Sequence, residues 1–200
     1  MVDAIGYVLP AVSFIGLVVG GIAFLTNQPY RDEIDHALGK LKIPERMLPW
    51  GYDAGQVREV KEKLGKEFAE DRRTLLDVYV SPVLYWNDIV FAVAMAVFAA
   101  SLWLWALLQF EPAGLARWLV IIFCASAVVY GIADVAEDVI LARLLSRNTF
   151  SDGEVRLASA LTQIKVVSMS GSVAGGLAFL VLNVLTPHKT YGRVNSPAPS

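Results

Sequence analysis

Apolar positions in this chain run for twenty or more residues at a stretch, and the charges gather between the runs. Four windows, roughly Ala4–Thr26, Val83–Phe110, Leu115–Leu145 and Leu157–Thr186, reach or approach the ~20 residues needed to cross a hydrocarbon core. Their ends are marked. Ser81-Pro82 reads as an N-cap followed by proline at the first helical position, which opens the second span. Glu111-Pro112-Ala113-Gly114 reads as a tight turn that makes spans two and three a hairpin. Ser151 and Glu154 form a capping box that opens span four, and Pro187 closes it. The pattern predicts an all-α, polytopic membrane protein: a four-transmembrane-helix bundle with its first span in residues 1–26 and three more in 83–186 (83–110, 115–145 and 152–186). The polar, Pro/Ser-rich segment 187–200 is expected to be disordered.

Residues 27–82 have a different texture. Here 11 acidic and ten basic residues alternate with apolar ones. Pro49-Trp50-Gly51-Tyr52-Asp53 reads as a turn, and Asp53 with Gln56 reads as a helix start. Val57, Val60, Leu64, Phe68, Leu75 and Leu76 follow near helical spacing. A second, shorter helix is expected at Arg31–Leu41, with Ile34, Leu38 and Leu41 on one face. An amphipathic helix must bury its stripe. The apolar stretches that continue past the spans, around Val139–Leu145 and Leu157–Ile164, are the natural partners, which predicts a small helical cap.

Basic residues orient the chain. With four spans, one side holds Arg117, Lys189 and Arg193; the other holds the ten of residues 27–82 plus Arg143, Arg147 and Arg156. Lys and Arg are retained in the cytoplasm when loops are shorter than ~60 residues. The reading is therefore an integral membrane protein, of bacterial inner-membrane type, with N- and C-termini periplasmic and loops 27–82 and 146–151 cytoplasmic. Tyr85 and Trp86 mark one interface and Trp103, Trp105 and Trp118 the other. Asp3, with no Lys or Arg before the first apolar run, predicts a retained span rather than a cleaved leader.

Composition agrees. Apolar residues make up 56% and mean hydropathy is +0.52, too apolar for a soluble domain of 200 residues. A net charge of −2 offers nothing to nucleic acid. A single cysteine, Cys124, excludes an internal disulfide and any multi-thiolate zinc site, and reads as a small hydrophobe.

Small residues recur at close-packing spacing: Gly16 and Gly20 in span one, Ala92, Ala96 and Ala100 in span two, and in span four Gly171 and Gly175 alongside Ser168, Ser172 and Gly176. Such strips let helix backbones approach in lipid, within one chain or between copies.

The candidate chemistry lies in span three, where Asp134, Glu137 and Asp138 stand at i, i+3 and i+4, on one helix face below Tyr130. Asp134 is 18 residues from Ala116, about 27 Å along a helix and close to a ~30 Å core. Asp88 and Lys165 fall at similar depth, and Asn87 and Gln163 join that level. Together these residues define a polar shelf at the cytoplasmic boundary. A structural reading pairs Lys165 with one or two carboxylates and lets Arg143 and Arg147 neutralise the rest. A second reading uses Asp88, Asp134, Glu137 and Asp138 to conduct protons or cations; what metal they would take is open. A third is an enzyme acting on lipid headgroups. It lacks support: His36 and His188 lie on opposite sides, and no G-x-S-x-G, H-E-x-x-H or P-loop occurs. No cofactor is expected. The reading placed first is a non-enzymatic structural or accessory membrane protein that associates with itself or with a membrane partner.

Overall fold

The computed structural model describes residues 2–47, 50–69 and 72–185. The expected stop at Pro187 and the tail 187–200 lie outside them. The described residues form six helices: α1 (Val2–Leu38), α2 (Ala54–Leu64), α3 (Leu75–Val78), α4 (Ile89–Phe110), α5 (Gly114–Ser146) and α6 (Asp152–Leu185). A helical segment, Tyr79–Asp88, leads into α4, and a single 3-10 turn sits at Pro44–Arg46. Among the described residues the only β pairing is one bridge between Phe68 and Thr74. Three helical stretches, Ile5–Leu38, Leu75–Phe110 and Gly114–Ser146, are long and apolar enough to cross a membrane.

The four long helices stand in chain order as an open row. α1 packs along α4, α4 along α5, and α5 along α6, whereas α1 and α6 do not pack along one another. The α4–α5 hairpin turns where expected. Glu111 takes a left-handed conformation (φ 42°) at the end of α4, and Gly114 (φ 57°) opens α5.

Two kinds of packing divide this row. At one end, Ile34 and Leu38 of α1, Val57, Val60 and Leu64 of α2, and Val83 and Leu84 gather around the last turns of α5 and the first of α6. Leu141, Leu144, Leu145, Val155 and Ala158 complete that core. This is the cap, and it holds most of the large buried side chains. Elsewhere the helices expose large apolar residues, such as Phe14, Ile22, Val93, Ile132 and Val167, and touch through small ones. A Cβ on Gly16 would stand 2.8 Å from the Ala94 carbonyl, and one on Gly131 would stand 2.5 Å from the Ala96 Cβ. The hydrophobic effect drives burial only against water. Between apolar solvent-facing surfaces, close backbone contact does the work instead.

Several boundaries differ from the sequence reading. Arg31–Leu41 is not a separate helix: α1 continues through Pro29 to Leu38. Ile34 and Leu38 lie on the face that the cap core buries, so burial offsets the hydrogen bond that Pro29 lacks. The capping box at Asp53 forms, with Asp53 accepting from the Gln56 amide at 2.9 Å and Gln56 accepting from the Asp53 amide at 2.8 Å. The stripe that follows ends sooner than expected. α2 stops at Leu64 before Gly65, and Phe68 is exposed. Helical structure resumes at Leu75, capped by Thr74. Ser81 then breaks the path (φ −151°, ψ 115°) ahead of Pro82.

Trp103 is not part of an outer belt. It is buried, its indole donates to Ser172 Oγ at 2.9 Å, and it stacks at a tilt on Phe123. Trp86 and Trp118 are exposed. Cys124 is half-buried, with its thiol 3.6 Å from the Ala100 carbonyl.

Candidate functional site

The acidic face of α5 turns inward, where the cap meets the helix row. Asp134, Glu137 and Asp138 are all buried, Glu137 completely. Lys165 reaches across from α6. Its ammonium lies 2.8 Å from Asp134 Oδ1 and 2.6 Å from Glu137 Oε2, the latter off the hydrogen-bond axis. Thr162, one turn earlier on α6, donates to Glu137 Oε1. The Tyr52 hydroxyl approaches the same oxygen from the cap at 3.4 Å. Burial, and after it the Glu137 carboxylate, push the Tyr52 phenol well above its ordinary range, so it stays protonated and serves as a donor.

A second ionic group faces the first. Arg31 Nη2 on α1 lies 2.7 and 2.8 Å from the two oxygens of Asp88, and 3.5 Å from Glu45 Oε1 in the loop after α1. Asn27, one turn back on α1, donates to Asp88 Oδ1 at 2.7 Å. Asn87 donates to Asn27 Oδ1 at 3.3 Å. The Tyr79 hydroxyl donates to Glu45 Oε2. A chamber of about 310 Å³ lies between the groups. Asp88, Asp134 and Asp138 line it together with Glu45, Arg31, Arg46 and Lys165. Phe91, Tyr130, Val166, Met169 and Ser170 complete the lining.

The charges in this region do not balance. Five buried carboxylates, Glu45, Asp88, Asp134, Glu137 and Asp138, face two cations that pair with them, Arg31 and Lys165; Arg46 also lines the chamber but is exposed and pairs with Asp35. Arg143 is exposed on the outside of α5, and Arg147 pairs with Glu154 at 3.1 Å. Neither neutralises the cluster, because the acidic face points into the fold and these two point out of it. Arg31 takes that role. Gln163 also stands apart: it is exposed and donates to the Trp50 carbonyl at 3.0 Å. Thus Asp88, Asp134, Glu137, Asp138, Lys165 and Tyr130 come together, Asn87 joins through Asn27, and Gln163 does not.

The residues missed by sequence reasoning are Asn27, Arg31, Glu45, Tyr52, Tyr79 and Thr162. A signal existed for the first two. They stand four apart directly below span one, hence on one face of a helix that continues. Ending span one at Thr26 and starting a separate helix at Arg31 hid them.

The turn that delivers Tyr52 depends on Gly51. It has φ +76°, and a Cβ there would collide with Ser159 Oγ, the atom that accepts the Tyr52 amide at 2.9 Å. Only glycine meets both demands.

The small-residue positions are mixed. Gly16 and Gly20 face α4 at Ala94, Met95 and Phe98. Gly175 lies against the Phe123 ring, Gly176 lies near Trp103, and Ser172 holds the Trp103 indole. Ser168 is half-buried. Gly171 has no neighbour within 4 Å of a Cβ position, so it makes no close helix contact here.

Among the described residues, no group of three or more His, Cys, Asp or Glu side chains is placed to hold a metal ion. Comparison with protein-family models, with curated proteins and with solved structures finds no match.

Proposed function

We propose that this chain is an integral inner-membrane accessory protein of four spans, whose cytoplasmic cap is locked to the bundle by the buried ionic network and presented to a protein partner. The fourth span is α6: Val166–Leu185 carries no charged residue, and 20 residues at 1.5 Å each cover a ~30 Å core. The excess of Lys and Arg in residues 27–82 and 143–156 supports a cytoplasmic cap and periplasmic termini.

One observation carries the accessory reading. The ionic network joins every long helix to the cap, through Arg31, Asp88, Glu137 and Lys165 on one side and Glu45 and Tyr52 on the other. A device of that kind fixes where a cap sits. α2 buries Val57, Val60 and Leu64 and turns Arg58, Glu59, Glu62 and Lys63 outward, a mixed-sign face suited to protein rather than anionic lipid. A conducting bundle has less support. No charged side chain lies on α4 beyond Asp88, or on α5 between Arg117 and Asp134, to relay charge toward the outer face.

Native mass spectrometry of protein purified in mild detergent tests this. The expected result is a complex, with itself or a second protein, that Glu59→Lys with Glu62→Lys disrupts while the thermal midpoint is unchanged. A lone monomer in the unaltered protein overturns the reading.

A further inference from the structure

We propose that the chamber binds an organic ammonium ion and that Asp138 is the carboxylate that receives it. Asp138 is 2% exposed and lines the chamber, yet its Oδ2 has neither a hydrogen bond nor an ion pair among the described residues. The three cations that line the chamber are already engaged, Arg31 with Asp88 and Glu45, Lys165 with Asp134 and Glu137, and Arg46 with Asp35. A buried carboxylate left uncompensated is costly, and the cost is relieved by a counter-cation that the chain itself does not supply.

Size and wall chemistry select the kind of cation. About 310 Å³ is room for roughly ten waters at their liquid volume of ~30 Å³, far more than a bare metal ion occupies. The carboxylates are also not grouped as metal ligands. One turn from the acidic groups stand Phe91, three residues after Asp88, and Tyr130, four before Asp134, and Val166 and Met169 of α6 line the chamber with them. Acid beside aromatic and thioether groups suits a cation that carries alkyl groups. A free amine and the ethanolamine headgroup of a lipid both offer such a cation; the shared chemistry is a primary ammonium.

This inference goes beyond the accessory role and is tested separately from it. Full-length protein in detergent is titrated with butylammonium chloride, with dihexanoyl phosphatidylethanolamine and with dihexanoyl phosphatidylglycerol. Potassium and magnesium chloride at matched ionic strength serve as controls, and the thermal midpoint is followed in each. A ligand that binds only the folded state raises the midpoint as its concentration rises. The expected result is a saturable rise with butylammonium or phosphatidylethanolamine, absent with phosphatidylglycerol and the salts. A response to butylammonium alone identifies a free amine, and a response to the lipid alone identifies a headgroup. Asp138→Asn, a near-isosteric change, is expected to weaken the response at least tenfold. Met169→Lys, which supplies a tethered ammonium to the chamber, is expected to abolish it while the protein remains folded. No response to either ammonium probe overturns the proposal, as does an Asp138→Asn response equal to that of the unaltered protein. The latter marks Asp138 as a carboxyl held neutral by its own proton.

Discussion

Lys165 is the residue on which two carboxylates lean, and its removal has a calculable sign. Breaking a buried ion pair by deleting one partner costs about 3–5 kcal/mol, because the charge left behind has lost both water and partner. Lys165→Met strands Asp134 and Glu137 together and is expected to lower the thermal midpoint in detergent by that order of free energy. Adding Asp134→Asn and Glu137→Gln to the same chain is expected to restore most of the loss. An unchanged midpoint in the single variant would show that the pair does not hold the helices. Arg31 and Asp88 admit a sharper form of the experiment. Arg31→Met and Asp88→Asn are each expected to destabilise, and the double variant less than their sum, with a coupling energy of about 0.5–3 kcal/mol. At this scale the sequence was legible where helix spacing alone decides. Asp134, Glu137 and Asp138 had to share a face, and depth along α5 and α6 put Lys165 opposite them. It was opaque where a loop decides. Nothing in the spacing of Glu45 or Tyr52 says that the chain folds back beneath the helices to reach Arg31 and Glu137.

The elements themselves followed from their ends more than from their middles. Asp53 with Gln56, Ser151 with Glu154, and the Glu111–Gly114 turn each satisfy or redirect backbone groups locally, and each stands where the sequence put it. Misreadings arose where a local signal met a tertiary one. Span one was expected to end near Thr26, but the cap buries Ile34 and Leu38 and α1 continues to Leu38. Phe68 fitted a helical stripe, but Gly65 ends α2 before the stripe can use it. The cap turn gives the clearest test at this scale. Asp53→Ala removes one side-chain cap and is expected to cost about 1 kcal/mol. Gly51→Ala introduces both an unfavourable backbone conformation and a collision with Ser159, and is expected to detach the turn from α6. Hydrogen exchange of the α2 amides reads both. Protection is expected to fall modestly in the first variant and to collapse in the second while α4 and α5 stay protected. Equal protection in both variants would mean that the turn does not anchor α2.

For the whole molecule, the question is how four helices and a cap sit with respect to a bilayer. The proposed orientation places α2 in the cytoplasm. In a Cys124→Ser background, a cysteine introduced at Glu59, which is exposed, is expected to resist an impermeant maleimide in intact cells and to react in inverted vesicles. Labelling in intact cells would reverse the assignment of both faces. Three helical stretches are long and apolar enough to cross by length and hydropathy alone. The proposed fourth crossing, α6, is weaker on that measure because Arg156, Gln163 and Lys165 occupy its first half, the part that serves the cap and the ionic network. The cap core also draws its last pieces from far along the chain. Val155 and Ala158 at the start of α6 cover the stripe formed by Val57, Val60 and Leu64 some hundred residues earlier. While the ribosome is still making α4 and α5, that stripe has no lid. In the proposed orientation the newborn chain thus passes through a stage in which a greasy ridge faces the cytoplasm, open to chaperones and proteases, and only the emergence of the final helix ends it. Truncation after α5 is therefore expected to leave a product that is inserted but rapidly degraded.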